Sequence, residues 1–172
     1  MKKPFFGLTR RVVSTAVLGP ALAAFVVSAA LPSARAASWS GIEPLKSRRA
    51  DVERVLGKPV EDKPGQTGTL RFKVAGGTVT VAFIDARFVA AHKLSPSLEG
   101  TVRQIALQHE SSSETPESMQ LAKNGSFERE DRGQVSVFRN TRDGVAYTFV
   151  GGRLRTTHYT AASAQLARSQ TK

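Results

Sequence analysis

The stretch that decides the fold runs from Leu45 to Ile84. Its first part reads Val52-Glu53-Arg54-Val55-Leu56-Gly57-Lys58-Pro59, and its second Leu70-Arg71-Phe72-Lys73-Val74-Ala75-Gly76-Gly77-Thr78-Val79-Thr80-Val81-Ala82-Phe83. Val52, Val55 and Leu56 recur at helical spacing behind Ser47, an N-cap residue type whose hydroxyl accepts a free backbone N–H. Gly57 can take the left-handed turn that closes a helix, and Pro59 cannot continue one. Beyond a polar loop from Glu61 to Gly68, apolar and basic residues alternate before Gly76-Gly77, and apolar residues alternate with Thr after it. That is the pattern of a hairpin with one wet face.

Downstream, Asp85 to Gly100 carries turn residues and no clear period, and reads as a loop crossing between strands. Thr101 to Leu107 reads as a strand whose alternation slips between Val102 and Ile105, the mark of a bulge. Thr115-Pro116-Glu117 opens a second helix signal and Lys123-Asn124-Gly125 closes it, with Met119 and Ala122 inward. After a charged loop, Glu128 to Arg132, three strands follow as a meander: Val135 to Phe138, Val145 to Phe149 and Arg153 to Tyr159, turning at Asp143-Gly144 and Gly151-Gly152. Residues 161–172 read as a polar tail, with room for a short terminal helix at Ala164, Leu166 and Ala167.

Phe72-Lys73-Val74-Ala75-Gly76-Gly77-Thr78-Val79 set beside Tyr147-Thr148-Phe149-Val150-Gly151-Gly152-Arg153-Leu154 matches at a constant offset of 75. This suggests a helix-plus-sheet unit used twice, over 42–107 and 115–160; the plainer alternative is that any two Gly-Gly hairpins look alike. The expected fold is α+β, an antiparallel sheet of hairpins with two short helices in one domain over 37–160, preceded by an N-terminal signal helix.

The N-terminus carries Lys2, Lys3, Arg10 and Arg11 ahead of an uncharged run from Val12 to Ala34, then Ala34-Arg35-Ala36 before Ala37. The order is that of an export signal over 1–36, cleaved after Ala36. Arg10-Arg11 hints at twin-arginine export, but Val13 stands where that signal has a bulkier apolar residue, which favours the general secretory route. The competing reading is an inner-membrane anchor over 12–34, since such a run is long enough to span a bilayer; Pro20, Pro32 and the many alanines weaken it. Cleavage places the protein in the periplasm or outside the cell.

The chain has no cysteine, which excludes disulfides, thiolate catalysis, thiolate metal ligands and a lipid-modified N-terminal Cys. A core must therefore form by burial alone, which the 136 residues after the signal allow. Removing the signal also removes five basic residues and leaves 20 Lys and Arg against 14 Asp and Glu. A surplus of six is ordinary for solubility, with weak attraction to anionic envelope surfaces as the functional alternative. Nucleic acid is not an expected partner, because export removes the chain from the cytoplasm and few aromatics lie near basic residues.

Catalytic and metal-binding patterns are not found. There is no Gly-x-Ser-x-Gly nucleophile turn, and His92, His109 and His158 lack metal-ligand spacing. No catalytic, cofactor or metal residues are therefore assigned and no cofactor is expected. His158, between Thr157 and Tyr159, is the histidine to test for a carboxylate partner. Arg153 and Arg155 share a strand face and, with Arg139 and Arg142, form a candidate cationic patch.

Ile42, Ser47, Asp51-Val52 and Val55-Leu56-Gly57-Lys58-Pro59, followed by a hairpin, resemble the helix-to-sheet unit of the SmpA/OmlA (BamE) outer-membrane proteins and of the beta-lactamase inhibitory proteins. The same Pro44-Leu45 to Pro59 pattern resembles uncharacterised exported bacterial proteins. The resemblance implies a non-enzymatic interaction module of the cell envelope, with sheet faces available to a protein partner. The alternative from another class is an envelope hydrolase with a site assembled from scattered residues.

Overall fold

The structure is a computed structural model, and it describes residues 37–63 and 68–171. The export signal or anchor expected over 1–36 lies outside the described residues. Among those described, no helix is long and apolar enough to cross a membrane.

The fold is α+β: among the described residues, one antiparallel sheet of eight strands with three α-helices. In chain order the elements are α1 (Arg49–Leu56), β1 (Glu61–Lys63), β2 (Thr69–Val74), β3 (Gly77–Phe83), α2 (Ala86–His92), β4 (Val102–His109), β5 (Glu128–Arg132), β6 (Val135–Asn140), β7 (Val145–Val150), β8 (Arg153–Thr160) and α3 (Ser163–Arg168). The sheet order is β1-β2-β3-β4-β8-β7-β6-β5, so the two halves of the chain meet where β4 pairs with β8.

Strand periodicity puts the core on one face of this sheet. Leu70, Phe72, Val79, Val81 and Ile105 pack there under Val52 of α1 and Ile42. In the other half Phe138, Phe149 and Leu154 pack under Leu121. The stretch before α1 also lies on the molecule's covered side, where Trp39 packs against the first cluster. Ala37 N–H donates to the Asp143 carbonyl at 2.9 Å.

Several sequence expectations are corrected by the structure. Ser47 is not the N-cap: it is buried and its Oγ accepts from Glu43 N–H at 2.9 Å. Arg48 caps α1, with the Asp51 carboxylate accepting its N–H at 2.9 Å. Gly57 ends the helix at φ 79°. The supposed crossing loop contains α2, because the Asp85 carboxylate accepts from Phe88 N–H at 2.7 Å and starts a helix there. A 3-10 turn at Pro96–Leu98 follows it.

The second helix signal gives only turns and a 3-10 turn at Leu121–Lys123, since Gln120 adopts a left-handed backbone at φ 53°. Glu61–Lys63 and Glu128–Arg132, read as loops, form the two edge strands, whose charged side chains discourage further strand pairing. The expected meander of three strands therefore has four. The tail is docked: α3 packs Leu166 near Leu94, and Thr171 N–H donates to the Lys93 carbonyl at 2.8 Å.

The offset of 75 is also corrected. It matches β2–β3 with β7–β8, which occupy different places in the two half-sheets. By place in the sheet, β1 corresponds to β5, β2 to β6, β3 to β7 and β4 to β8. One row of paired residues crosses all eight strands as Glu61, Arg71, Thr80, Ala106, His158, Ala146, Arg139 and Glu128. From either edge it begins Glu, then Arg.

The glycines confirm the same pairing of strands. A Cβ on Gly77 would lie 2.0 Å from the Gln108 carbonyl oxygen, and one on Gly144 would lie 2.3 Å from that of Thr160. Gly77 begins and Gly144 immediately precedes the second strand of a hairpin, and each crowds the next strand in sequence, β4 or β8, so the true counterpart of Gly76-Gly77 is Asp143-Gly144. The bulges match as well. Register shifts at Ala82/Phe83 and at Thr148/Phe149 leave Arg103 and Arg155 as the extra residues of β4 and β8.

Candidate functional site

Among the described residues, α1 packs on the core face and α2 and α3 pack around Leu45, Ile84 and Leu94, which leaves the middle of the opposite face open over the central strands. That middle is built from Thr78 and Thr80 of β3, Gln104 and Ala106 of β4, Thr156 and His158 of β8, and Ala146 and Thr148 of β7. None of these eight middle residues is acidic or carries a guanidinium, and charged pairs flank them. Arg71 Nη1 stands 3.7 Å from Glu61 Oε2 on one side, and Arg139 Nη1 stands 2.9 Å from Glu130 Oε2 on the other. Lys73 is paired with Glu110.

Two hollows adjoin at one end of this face, where Thr160 lines both. The first, about 340 Å³, has Ala146, His158, Arg139 and Thr148 in its lining. Ala146 lies between His158 and Arg139 in the row, and its single methyl leaves the depression. The second, about 300 Å³, lies under α2 and α3 and is lined by Leu45, Phe88, Ala161 and Leu166, with Arg103 and Gln104. Among the described residues, no Asp or Glu lines either one.

The side chain of Gln104 joins the hollows, with its Nε2 and His158 Nδ1 2.5 Å apart. Burial, and then the charge of Arg139, hold the His158 pKa below its ordinary value. His158 thus has an amide and a guanidinium as its neighbours. His109 Nε2 is 3.0 Å from Thr157 Oγ1 on the covered side, with its pKa lowered by burial. The His92 ring lies against Phe88.

The candidate cationic patch is divided. Arg139 shares the row of His158, and Arg142 is on the β6–β7 turn, 3.6 Å from Asp143 Oδ1. Arg153 shares a row with Val150 and Val135, four residues along the strand and two strands across from Arg139, and therefore roughly 16 Å away. Arg153 Nη1 donates to the Ser113 carbonyl at 2.7 Å and Arg155 Nη1 to that of Glu110 at 3.4 Å. These two hold the chain leaving β4, and do not meet the other two on one surface.

Reading the sequence did not single out Arg103, Gln104 or Phe88. The slip in alternation at Val102 to Ile105 was their one signal, since a bulge re-aims the side chain it carries. Arg103 stacks its guanidinium over Phe88 at 5.3 Å from the ring centre.

No protein-family model matches the chain, and no curated protein matches it. Among solved structures it is similar to a DUF4309 family protein (YjgB) from Bacillus subtilis subsp. subtilis str. 168, at 14% identity and a TM-score of 0.48, over 70% of this chain and 82% of that one.

Proposed function

We propose that the protein is an exported, non-enzymatic binding module of the bacterial envelope, and that the uncovered sheet face receives a protein partner. The observation that carries this reading is the arrangement of charge on that face. An uncharged centre of Thr, Ala and Gln is flanked by Glu–Arg pairs, the layout of a protein interface with a weakly charged core and a polar rim. Threonine is suited to such a centre, because its branched side chain has little freedom to lose on binding. The basic start, apolar run and Ala-x-Ala site support export. A helix followed by an antiparallel hairpin is what the resemblance to the SmpA/OmlA (BamE) and beta-lactamase inhibitory proteins implies, and those resemblances favour an interaction role.

The test combines fractionation with charge insertion. The mature form, starting at Ala37, is expected outside the cytoplasm. A partner retained from the envelope fraction by the wild-type domain should be lost with Thr80→Arg and Thr156→Arg, both of which should keep the wild-type melting temperature. Retention unchanged by both folded variants would place the partner elsewhere on the molecule, and recovery of the full-length chain in the cytoplasm would remove the envelope role.

A further inference from the structure

The two bulge arginines occupy corresponding places, so each is a control for the other. Arg155 is exposed and its guanidinium reaches a backbone carbonyl. Arg103 is half-buried, and among the described residues it has no hydrogen-bond or ion-pair partner, only the face of Phe88. The difference comes from what joins the strands. Gly151-Gly152 connects β7 directly to β8, whereas α2 and the 3-10 turn stand between β3 and β4. Together with α3, that insertion places Phe88 and Leu166 with Arg103 around the half-open hollow of about 300 Å³.

A partly desolvated guanidinium without a carboxylate, at the mouth of an apolar chamber, is an electrostatic vacancy of definite sign. The size matches the smallest ligand pockets, which start at about 300 Å³. We infer that this chamber binds a small amphipathic anion, with a carboxylate against Arg103 and a short apolar body between Phe88, Leu45 and Leu166. The acid-free lining of both adjoining hollows supplies the charge complementarity. This site lies at the end of the open face and does not depend on a protein partner.

Octanoate is the probe, with octylamine and octanol as controls of equal chain length. Titration of the mature domain, followed by amide and arginine side-chain NMR shifts, should show saturable octanoate binding with the largest changes at Arg103, Phe88 and Leu166. Arg103→Met keeps the alkyl stem over Phe88 and should weaken octanoate by about tenfold or more, the loss of one charge-assisted pair. Arg155→Met should leave it unchanged, and Leu166→Trp should block the chamber. Octylamine and octanol should bind at least about tenfold more weakly than octanoate, by the same loss of the ion pair. The inference is overturned if octanoate does not bind, if a folded Arg103→Met domain binds it as well as wild type, or if the three octyl compounds bind equally. All three variants are checked for fold by their amide spectra; should Arg103→Met not fold, the head-group comparison on the wild-type protein and the Leu166→Trp result decide.

Discussion

Residues 84–101 stand between β3 and β4, while two glycines stand between β7 and β8. The strands on either side are otherwise comparable: the same Glu–Arg start to the row, the same crowded glycine, the same bulged arginine. The lesson is that equivalent strand positions fix where an arginine is placed, and the connection determines whether it becomes structural or free to act. Arg155 secures a loop. Arg103 faces a chamber.

The comparison breaks most severely if the buried aromatic anchors of the corresponding strands β2 and β6 are not equivalent in weight. Phe72 and Phe138 are both essentially inaccessible, at 1% exposure each. Truncating either to Ala should cost about 3–5 kcal/mol, a large part of a domain's stability, and denaturant unfolding would measure it. A small loss at one and a large loss at the other would mean that the halves do not share one cooperative sheet.

Gly77→Ala and Gly144→Ala come next. Each methyl would enter the space of a backbone oxygen, so each should cost roughly 1–3 kcal/mol as overpacking, with an added penalty at Gly144 from its φ of 76°. An unchanged melting temperature for either would remove the correspondence between the two turns. Gly57→Val tests conformational strain without crowding, because nothing lies within 4 Å of its would-be Cβ and φ is 79°. It should cost on the order of 1 kcal/mol.

How much of this was legible depended on whether the cause was local. The β2–β3 hairpin, the Gly57 stop and the slip at Val102 to Ile105 are written in neighbouring residues, and the structure has all three. The correspondence of Gly77 with Gly144 is not local. It consists of what each glycine touches, Gln108 or Thr160, while the more visible Gly-Gly likeness pointed to the wrong hairpin. Helix α2 lacked an apolar period because no residue of it is fully buried, leaving the Asp85 cap as its sole marker. The chamber joins Phe88, Arg103 and Leu166, from three elements whose proximity no spacing encodes. The candidate patch failed for the reverse reason: arginines close in sequence lie at opposite ends of their strands.

A smaller effect concerns pH. His158 and His109 both have pKa values lowered by burial, with Arg139 adding to the shift at His158. The unfolded chain therefore takes up these protons first, and the stability from the neutral rings is complete above the ordinary histidine value of about 6.5. It is lost as pH falls from there through the folded-state values. Melting temperature should drop over that range, and His158→Asn should flatten the drop; an identical profile in the variant would contradict the assigned environment. The smallest expected effect is Arg142→Ala, within about 0.5 kcal/mol for an exposed turn residue.

The central claim, that the uncovered face is the one that binds, is tested most directly by photo-crosslinking in intact cells. A photoreactive residue is placed singly at Thr80 and Thr156 on the open face and at Val55 on the exposed side of α1, where 46% of the residue is accessible. The account predicts the same discrete adduct from Thr80 and Thr156, one from each half, and no such adduct from Val55. An adduct from Val55 alone, or the absence of any adduct from the open face, would contradict it.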